Sequence, residues 1–303
     1  MQVHRFVIPT ENRSIHWRFI CSDLHIGSVN FDARRWQADM AEAVKVGARV
    51  LVNGDVFDAI DFRDKRFDPS VLVPELKGEK DLQGAVVRLA YEYFRPYAGF
   101  IDVLGIGNHE EKWINWNASD PVARLIERLN ADLQANSLEH RIRHGGVSGF
   151  IRSAFRFGER DEKGRVPGTK HDLLYFHGSG GDSPVTRGSI NMYRKEHQFS
   201  FDAVTMGHDH NRGFIDSVEI GLSPRGHLVP RERKCIRTGS YYQNYKRTTQ
   251  TNPLDYSYAE RFHASPKPLG GMFLRLRPVR EHVGKGPHRT VINRVEQEVM
   301  TAP

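Results

Sequence analysis

Five short clusters in this 303-residue chain carry side chains able to bind cations or move protons. They are Asp23-Leu24-His25, Gly54-Asp55 with Asp58 three residues on, Gly107-Asn108-His109-Glu110, His177-Gly178 and Gly207-His208-Asp209-His210. Their donors are carboxylate, amide and imidazole with no thiolate, a set that suits Mn, Fe, Zn, Ni or Mg, with Mn²⁺ taken first. In Asp-x-His and His-x-His, side chains at i and i+2 of an extended segment point the same way, so both can reach one ion. Seven candidate ligands (Asp23, His25, Asp55, Asn108, His177, His208 and His210) are too many for one tetrahedral shell. They suit two ions sharing a carboxylate, for which Asp55 is the natural bridge. Two divalent ions roughly 3.5–4 Å apart can hold a deprotonated water and clamp the oxygens of an in-line displacement at phosphorus. A chain with 15 histidines in 303 residues holds a His-x-His pair by chance about once, so GHDH alone is a weak signal. Singly, Asp23 and Asp55 also read as turn or capping carboxylates, Asn108 as a turn residue and His177 as a satisfied strand-end histidine. Five clusters in order are much harder to dismiss.

Each cluster directly follows a short apolar run: 15–22, 48–53, 99–106, 172–177 and 201–206. Between the first two, 32–46 has helical spacing through Trp36, Met40, Ala43 and Val44, with Gly47 at its stop. Helices are also expected over 81–95, 120–134 (Asp120 as N-cap, Pro121 at N1) and around 186–198, and a strand over 149–157. Strands separated by helix-length connections predict an α/β layer structure with parallel or mixed pairing. In such folds sites form beyond the carboxyl ends of strands, so the five clusters can converge. The expected organisation is one domain over 1–279, with insertions at about 60–98 and 111–170 and a polar tail over 280–303.

The series DLH, GD, GNHE, a lone His after a strand, and GHDH resembles the calcineurin-like metallophosphoesterase superfamily over roughly residues 15–245. The resemblance implies a four-layer α/β (α+β) fold of two mixed β-sheets flanked by helices, and two divalent metal ions. It implies Asp23, His25, Asp55 and His210 on one ion, and Asp55, Asn108, His177 and His208 on the other. His109 would stabilise the transition state or protonate the leaving oxygen, and Asp58 would orient His109. The wording SDLHIG and GDVFD, with Thr238-Gly239-Ser240-Tyr241 after GHDH, is most similar to the double-strand-break-repair nuclease and phosphodiesterase branch. The one departure is Glu110, where those nucleases usually carry Asp; the ending GNHE resembles protein phosphatases, but their phosphate-gripping arginines are missing here.

The implied activity is a metal-dependent phosphodiesterase, foremost a DNA nuclease. The alternatives are a phosphomonoesterase or small-molecule pyrophosphatase, whose insertions would cap the site, and a non-catalytic nucleic-acid-binding subunit. The formal charge of +7 fits an anionic partner only if it clusters. Lys112, Arg187, Arg194, Lys195, Arg212, Lys246 and Arg247 lie near the motifs. Trp113, Trp116, Tyr241, Tyr242 and Tyr245 could stack bases. Lys112, Arg212 and Tyr241 are the foremost substrate-binding candidates, and a homo-oligomer or protein partner is also compatible. The loop Gly178-Ser179-Gly180-Gly181 is read as a turn after a ligand. Two cysteines exclude a disulfide framework, no run reaches the roughly 18 apolar residues of a membrane span, and the first residues lack the apolar stretch of a secretory signal. The expected compartment is the cytoplasm.

Overall fold

Apolar residues alternate between two faces along the runs that precede the clusters. In the computed structural model those runs are inner strands of two mixed six-stranded sheets. The structure describes residues 1–58, 69–158, 160, 164–180, 190, 198–222, 226–245, 259–260, 263, 265–283 and 290–301. In chain order the elements are β1 (Gln2–Thr10), β2 (His16–Cys21), α1 (Ala33–Lys45), β3 (Arg49–Val52), α2 (Leu82–Phe94), β4 (Ile101–Gly105), α3 (Asn108–Asn117), α4 (Pro121–Ala135), β5 (Arg143–Gly146) and β6 (Ser148–Phe157). They continue with β7 (Gly168–Phe176), β8 (Ala203–Met206), β9 (Gly213–Leu222), β10 (Leu228–Arg237), β11 (Met272–Val283) and β12 (Thr290–Thr301).

One sheet runs β12-β11-β2-β3-β4-β5, with β2 to β5 parallel; the other runs β1-β6-β7-β8-β10-β9, with β7, β8 and β10 parallel. Period two divides each inner strand between two cores. Ile20, Leu51 and Val103 meet Ile151, Leu173 and Tyr175 of the other sheet. Phe19, Cys21, Val50, Val52 and Leu104 face Trp36 and Met40 of α1, Val86 and Ala90 of α2, and Leu125 and Leu129 of α4. A third cluster, Leu174, Val204, Met206 and Cys235, lies on the far face of the second sheet. The layers are therefore helices, sheet, sheet. The helix expected around 186–198 lies, apart from residues 190 and 198, outside the described residues. So do Arg187, Arg194, Lys195, Lys246, Arg247 and Gly181.

Caps place the helices. The Asp32 carboxylate accepts from Arg35 N (3.1 Å) to start α1, and Gly47, at φ +67°, follows its end. Asp120 accepts from Val122 N and Ala123 N before Pro121 opens α4.

Within the segments expected as insertions, α2 and α4 cover one sheet while β5, β6 and the start of β7 are sheet strands. Within 280–303, expected as a polar tail, the described residues are strand. β11 runs on to Val283, and β12 pairs with it antiparallel from Thr290 to Thr301. Among the described residues no helix is long and apolar enough to cross a membrane.

Candidate metal centre

Register brings the first two clusters together. Cys21 pairs with Val52, and the pairing runs on past the strand ends. Leu24 N and His25 N donate to Asp55 O (2.9 and 3.1 Å), and Ile26 N donates to Val56 O (2.9 Å). The loop after β4 comes against them because Gly54, at φ +84°, has no side chain. A Cβ there would lie 2.6 Å from Gly107 N and 2.7 Å from His177 Nδ1. Glu110 fastens the loops: its fully buried carboxylate accepts from Asp55 N (3.1 Å), Phe57 N (2.8 Å) and Gly107 N (2.8 Å). Burial, followed by the Asp55 charge, pushes Glu110 up to about 7.

At the carboxyl ends of β2, β3, β4, β7 and β8 the candidate ligands converge into two groups. Asp23, His25 and His210 form one, and Asp55, His177 and His208 the other; within each, one ligand atom per residue lies within 4.8 Å of the rest. His210 Nε2 is 3.3 Å from Asp23 Oδ1. Asn108 joins the second group, its Oδ1 lying 2.7 Å from His208 Nδ1. His177 stands between the two carboxylates, with Nε2 3.1 Å from Asp55 Oδ2 and 3.9 Å from Asp23 Oδ1. Asp55 itself falls by distance in the second group, and its Oδ1 accepts from His109 N (3.0 Å).

The donors fit a divalent cation. The Nε2 atom of His25 is buried without a hydrogen-bond partner, which is uncommon for polar atoms, and that of His177 has the Asp55 and Asp23 carboxylates beside it. His177 donates Nδ1–H to Asn53 O (2.8 Å), which turns its Nε2 toward the carboxylates. Burial alone would lower His177, but Asp55 and Asp23 outweigh it and raise the imidazole to about 10. Burial would likewise raise Asp23, yet His177 and His210 hold it at about 2, and Asp55 is held well below the usual carboxylate range by His177 and His109. Burial lowers His25, and burial with the His177 charge lowers His208.

The backbone is strained at the same places. Asp23, His25, Asp55, His208 and His210 have φ between 48° and 70°, five of the nine non-glycine residues with positive φ among those described. The paired ligands are therefore not at i and i+2 of an extended chain. Each bends into the left-handed region, and the residue between them turns away. Leu24 enters the core, and Asp209 meets Arg237 at 3.3 Å. Such strain of about 1–3 kcal/mol per residue clusters at functional sites.

His109 is held differently from expectation. Its Nδ1 donates to the backbone carbonyl of Asp58, while the Asp58 carboxylate is 3.9 Å from that nitrogen and 3.2 Å from His25 Nδ1. The carboxylate serves His25, and the main chain orients His109.

No family model matches the chain, and no curated protein matches it. A solved structure titled "GAP50 the anchor in the inner membrane complex of Plasmodium" is similar at a TM-score of 0.41 and 10% identity, over 92% of this chain and 89% of that one. A likeness that low carries no argument.

The substrate candidates are rearranged. Tyr241 is fully buried, with its hydroxyl on Asp39 Oδ2 (2.7 Å), so it cannot touch a substrate; its main chain supports the site, since Tyr241 N and Ser240 Oγ both donate to Asp23 O (2.9 and 3.0 Å). The neighbouring Tyr242 faces the cluster, its ring 5.1 Å from His25 and 6.3 Å from His210. Arg212 is engaged through Nη1 with Leu269 O (2.7 Å). Lys112 lies half-buried on α3. The scaffolding roles of Asn53 and Ser240 carry no signal in spacing, because each acts through main-chain groups of residues distant in sequence; Glu110 carries a partial one, at the third position of α3, where its carboxylate reaches back to Gly107 N.

Proposed function

We propose that this chain is a dinuclear-metal-dependent phosphodiesterase of the calcineurin-like metallophosphoesterase superfamily, acting on nucleic acid and foremost on DNA. The observation that supports it most is the convergence of seven nitrogen and oxygen donors from five strand-end loops into two adjoining, largely buried groups. On this reading the two sheets are the central layers of the family fold. Asp23, His25 and His210 would hold one cation and Asn108, His177 and His208 the other, with Asp55 in the second group and shared if the carboxylate bridges. Bound divalent cations would neutralise charge on phosphoryl oxygens and supply a nucleophile at neutral pH, with Mn²⁺ the first candidate. The residues supply the rest. His109, its Nδ1–H fixed on Asp58 O, carries its exchangeable proton at Nε2 and delivers it to the leaving oxygen. Asp58 and Asn53 hold the rings of His25 and His177 in orientation. Cys21 and Cys235 are both buried and form no disulfide with each other, which suits a reducing compartment such as the cytoplasm.

The test is a substrate panel of bis-p-nitrophenyl phosphate, p-nitrophenyl phosphate and labelled DNA, run with Mn²⁺, with Mg²⁺ and with chelator. Diester cleavage that needs Mn²⁺ and stops with chelator is expected, along with DNA affinity that falls steeply with salt. Monoester hydrolysis with diesters left intact would replace this reading with a phosphomonoesterase. A chain that binds no ion at saturating Mn²⁺ would end it.

A further inference from the structure

A cavity of about 230 Å³ opens beside the proposed metal centre, and its lining includes Asn108, Glu111, Val147, Ser148, Phe176 and His177. It touches the second ligand group through Asn108 and His177, while His25, His109 and His210 do not line it. Drug-sized ligands fill about 300–1,000 Å³, so this space suits a smaller group, about the size of one nucleobase.

The lining says what kind of ring. Val147 and Phe176 give apolar and aromatic surface. No lysine or arginine is among the described lining residues, and Glu111 places a carboxylate there. Glu111 belongs to the first turn of α3, its N–H bonded to Gly107 O (3.0 Å), three residues after Asn108 and therefore on the same helix face. Away from the cation proposed on Asn108 and His177, the described lining offers a phosphate no lysine or arginine and sets a carboxylate against it, so the Glu111 end of the cavity does not suit a second anion. A neutral, flat group bearing N–H donors fits. In a polynucleotide the flat ring nearest a phosphate is the base of the adjoining nucleotide, the sugar between them being puckered and without N–H donors. Aromatic side chains stack on any base, whereas a carboxylate accepts from the amino groups of cytosine or adenine, which thymine lacks.

We infer that this cavity is the subsite for the base beside the scissile phosphate, and that Glu111 makes it prefer amino-bearing bases over thymine. The inference rests on the nucleic-acid phosphodiesterase reading of the adjoining centre. Two measurements separate them. Saturation-transfer NMR with deoxyadenosine, deoxycytidine and thymidine probes the cavity without phosphate, metal or turnover. Stronger transfer to the first two is expected, and it should be lost in Glu111→Gln, an isosteric change at an exposed helix position. In Mn²⁺ assays with p-nitrophenyl esters of the same nucleotides, Glu111→Gln should raise KM for the adenine and cytosine esters about tenfold. It should leave kcat, the thymine ester and bis-p-nitrophenyl phosphate unchanged. Phe176→Leu should weaken all three nucleosides alike.

Equal binding of the three nucleosides would overturn the inference, as would equal slowing of bis-p-nitrophenyl phosphate by Glu111→Gln. If diesters are cleaved without base preference, only the subsite falls. A base preference in a chain that cleaves no diester would leave the subsite standing and remove the phosphodiesterase.

Discussion

Asp55→Asn is the most discriminating substitution, because it removes one charge from the centre while keeping the side chain's shape. Asp55 is buried, with Oδ1 on His109 N and Oδ2 3.1 Å from His177 Nε2, so Asn can keep the first contact but not the ionic one. A ligand present at 100 times its Kd stabilises the folded state by about 2.7 kcal/mol, so two ions give roughly twice that. With about 2–4 °C per kcal/mol for chains of 150–250 residues, wild type should gain on the order of 10 °C in Tm on adding Mn²⁺. The second group would retain His177, His208 and Asn108 without their anion, and its cation affinity should collapse. Asp55→Asn should therefore lose at least half of the Mn²⁺-induced shift. The metal-free Tm falls as well, since His177 is left with Asp23 alone at 3.9 Å, so the quantity to compare is the difference between loaded and metal-free protein by differential scanning fluorimetry. Glu42→Gln, on the exposed face of α1, is the control. If Asp55→Asn shifts as far as wild type, Asp55 binds no ion and the proposed centre is wrong.

Other outcomes can be checked independently. His109→Ala should keep the full Mn²⁺-induced Tm shift yet lower turnover about 10²–10⁴-fold; parallel loss of both would refute its role as proton donor. Glu110→Ala strands three buried N–H donors, each costing about 1–3 kcal/mol, so urea unfolding should show a loss of several kcal/mol, partly recovered in Glu110→Gln. Burial would raise Asp120, but the His144 hydrogen bond and the N–H groups of Ala123 and Val122 hold it below its ordinary value. Because the folded value is the lower one, its stabilisation is complete above the unfolded pKa of about 3.9 and fades as pH falls through the folded one. Asp120→Ala should thus cost about 1 kcal/mol at neutral pH, with the gap to wild type closing in acid. Truncation after Val283 bares the β11 edge and takes Val299 out of the inter-sheet core, so size-exclusion chromatography should show aggregation.

The clusters were legible because each inner strand is short, apolar on both faces and ended by polar residues, and because the helices α1 and α4 announce their starts with Asp32 or Asp120. Edge strands were not. In β1 the inward positions are His4, Phe6, Ile8 and Thr10 while Val3 and Val7 face solvent, so the apolar pattern is scrambled. His4 is accommodated inside by the Tyr175 hydroxyl at 2.9 Å. β12 reads as a polar tail because ion pairs hold much of it: Glu296 with Arg277, Glu298 with Arg275. No alternation of hydrophobicity reports a strand fastened by charge. Tyr241 and Tyr242 are likewise inseparable in sequence, since which of two neighbours faces a site depends on a turn whose φ and ψ the residue types do not fix.

The strain at the centre links fold and proposed function. Five non-glycine residues in the left-handed region, each costing about 1–3 kcal/mol, sit with buried carboxylates and imidazoles at one end of both sheets. In the metal-free chain the ion pairs with His177 offset part of the cost of burying these carboxylates, but the left-handed backbone and the like charges of Asp23 and Asp55 work against folding. The surrounding contacts impose the strain: ladder hydrogen bonds continued beyond β2 and β3, the Glu110 clamp, and the Ser240 and Tyr241 donors on Asp23 O. A chain that invests so many independent interactions in holding unfavourable side chains together needs them together. On the proposed reading, a cation would relieve the mutual repulsion of Asp23 and Asp55 and give the buried His25 Nε2 a partner at once.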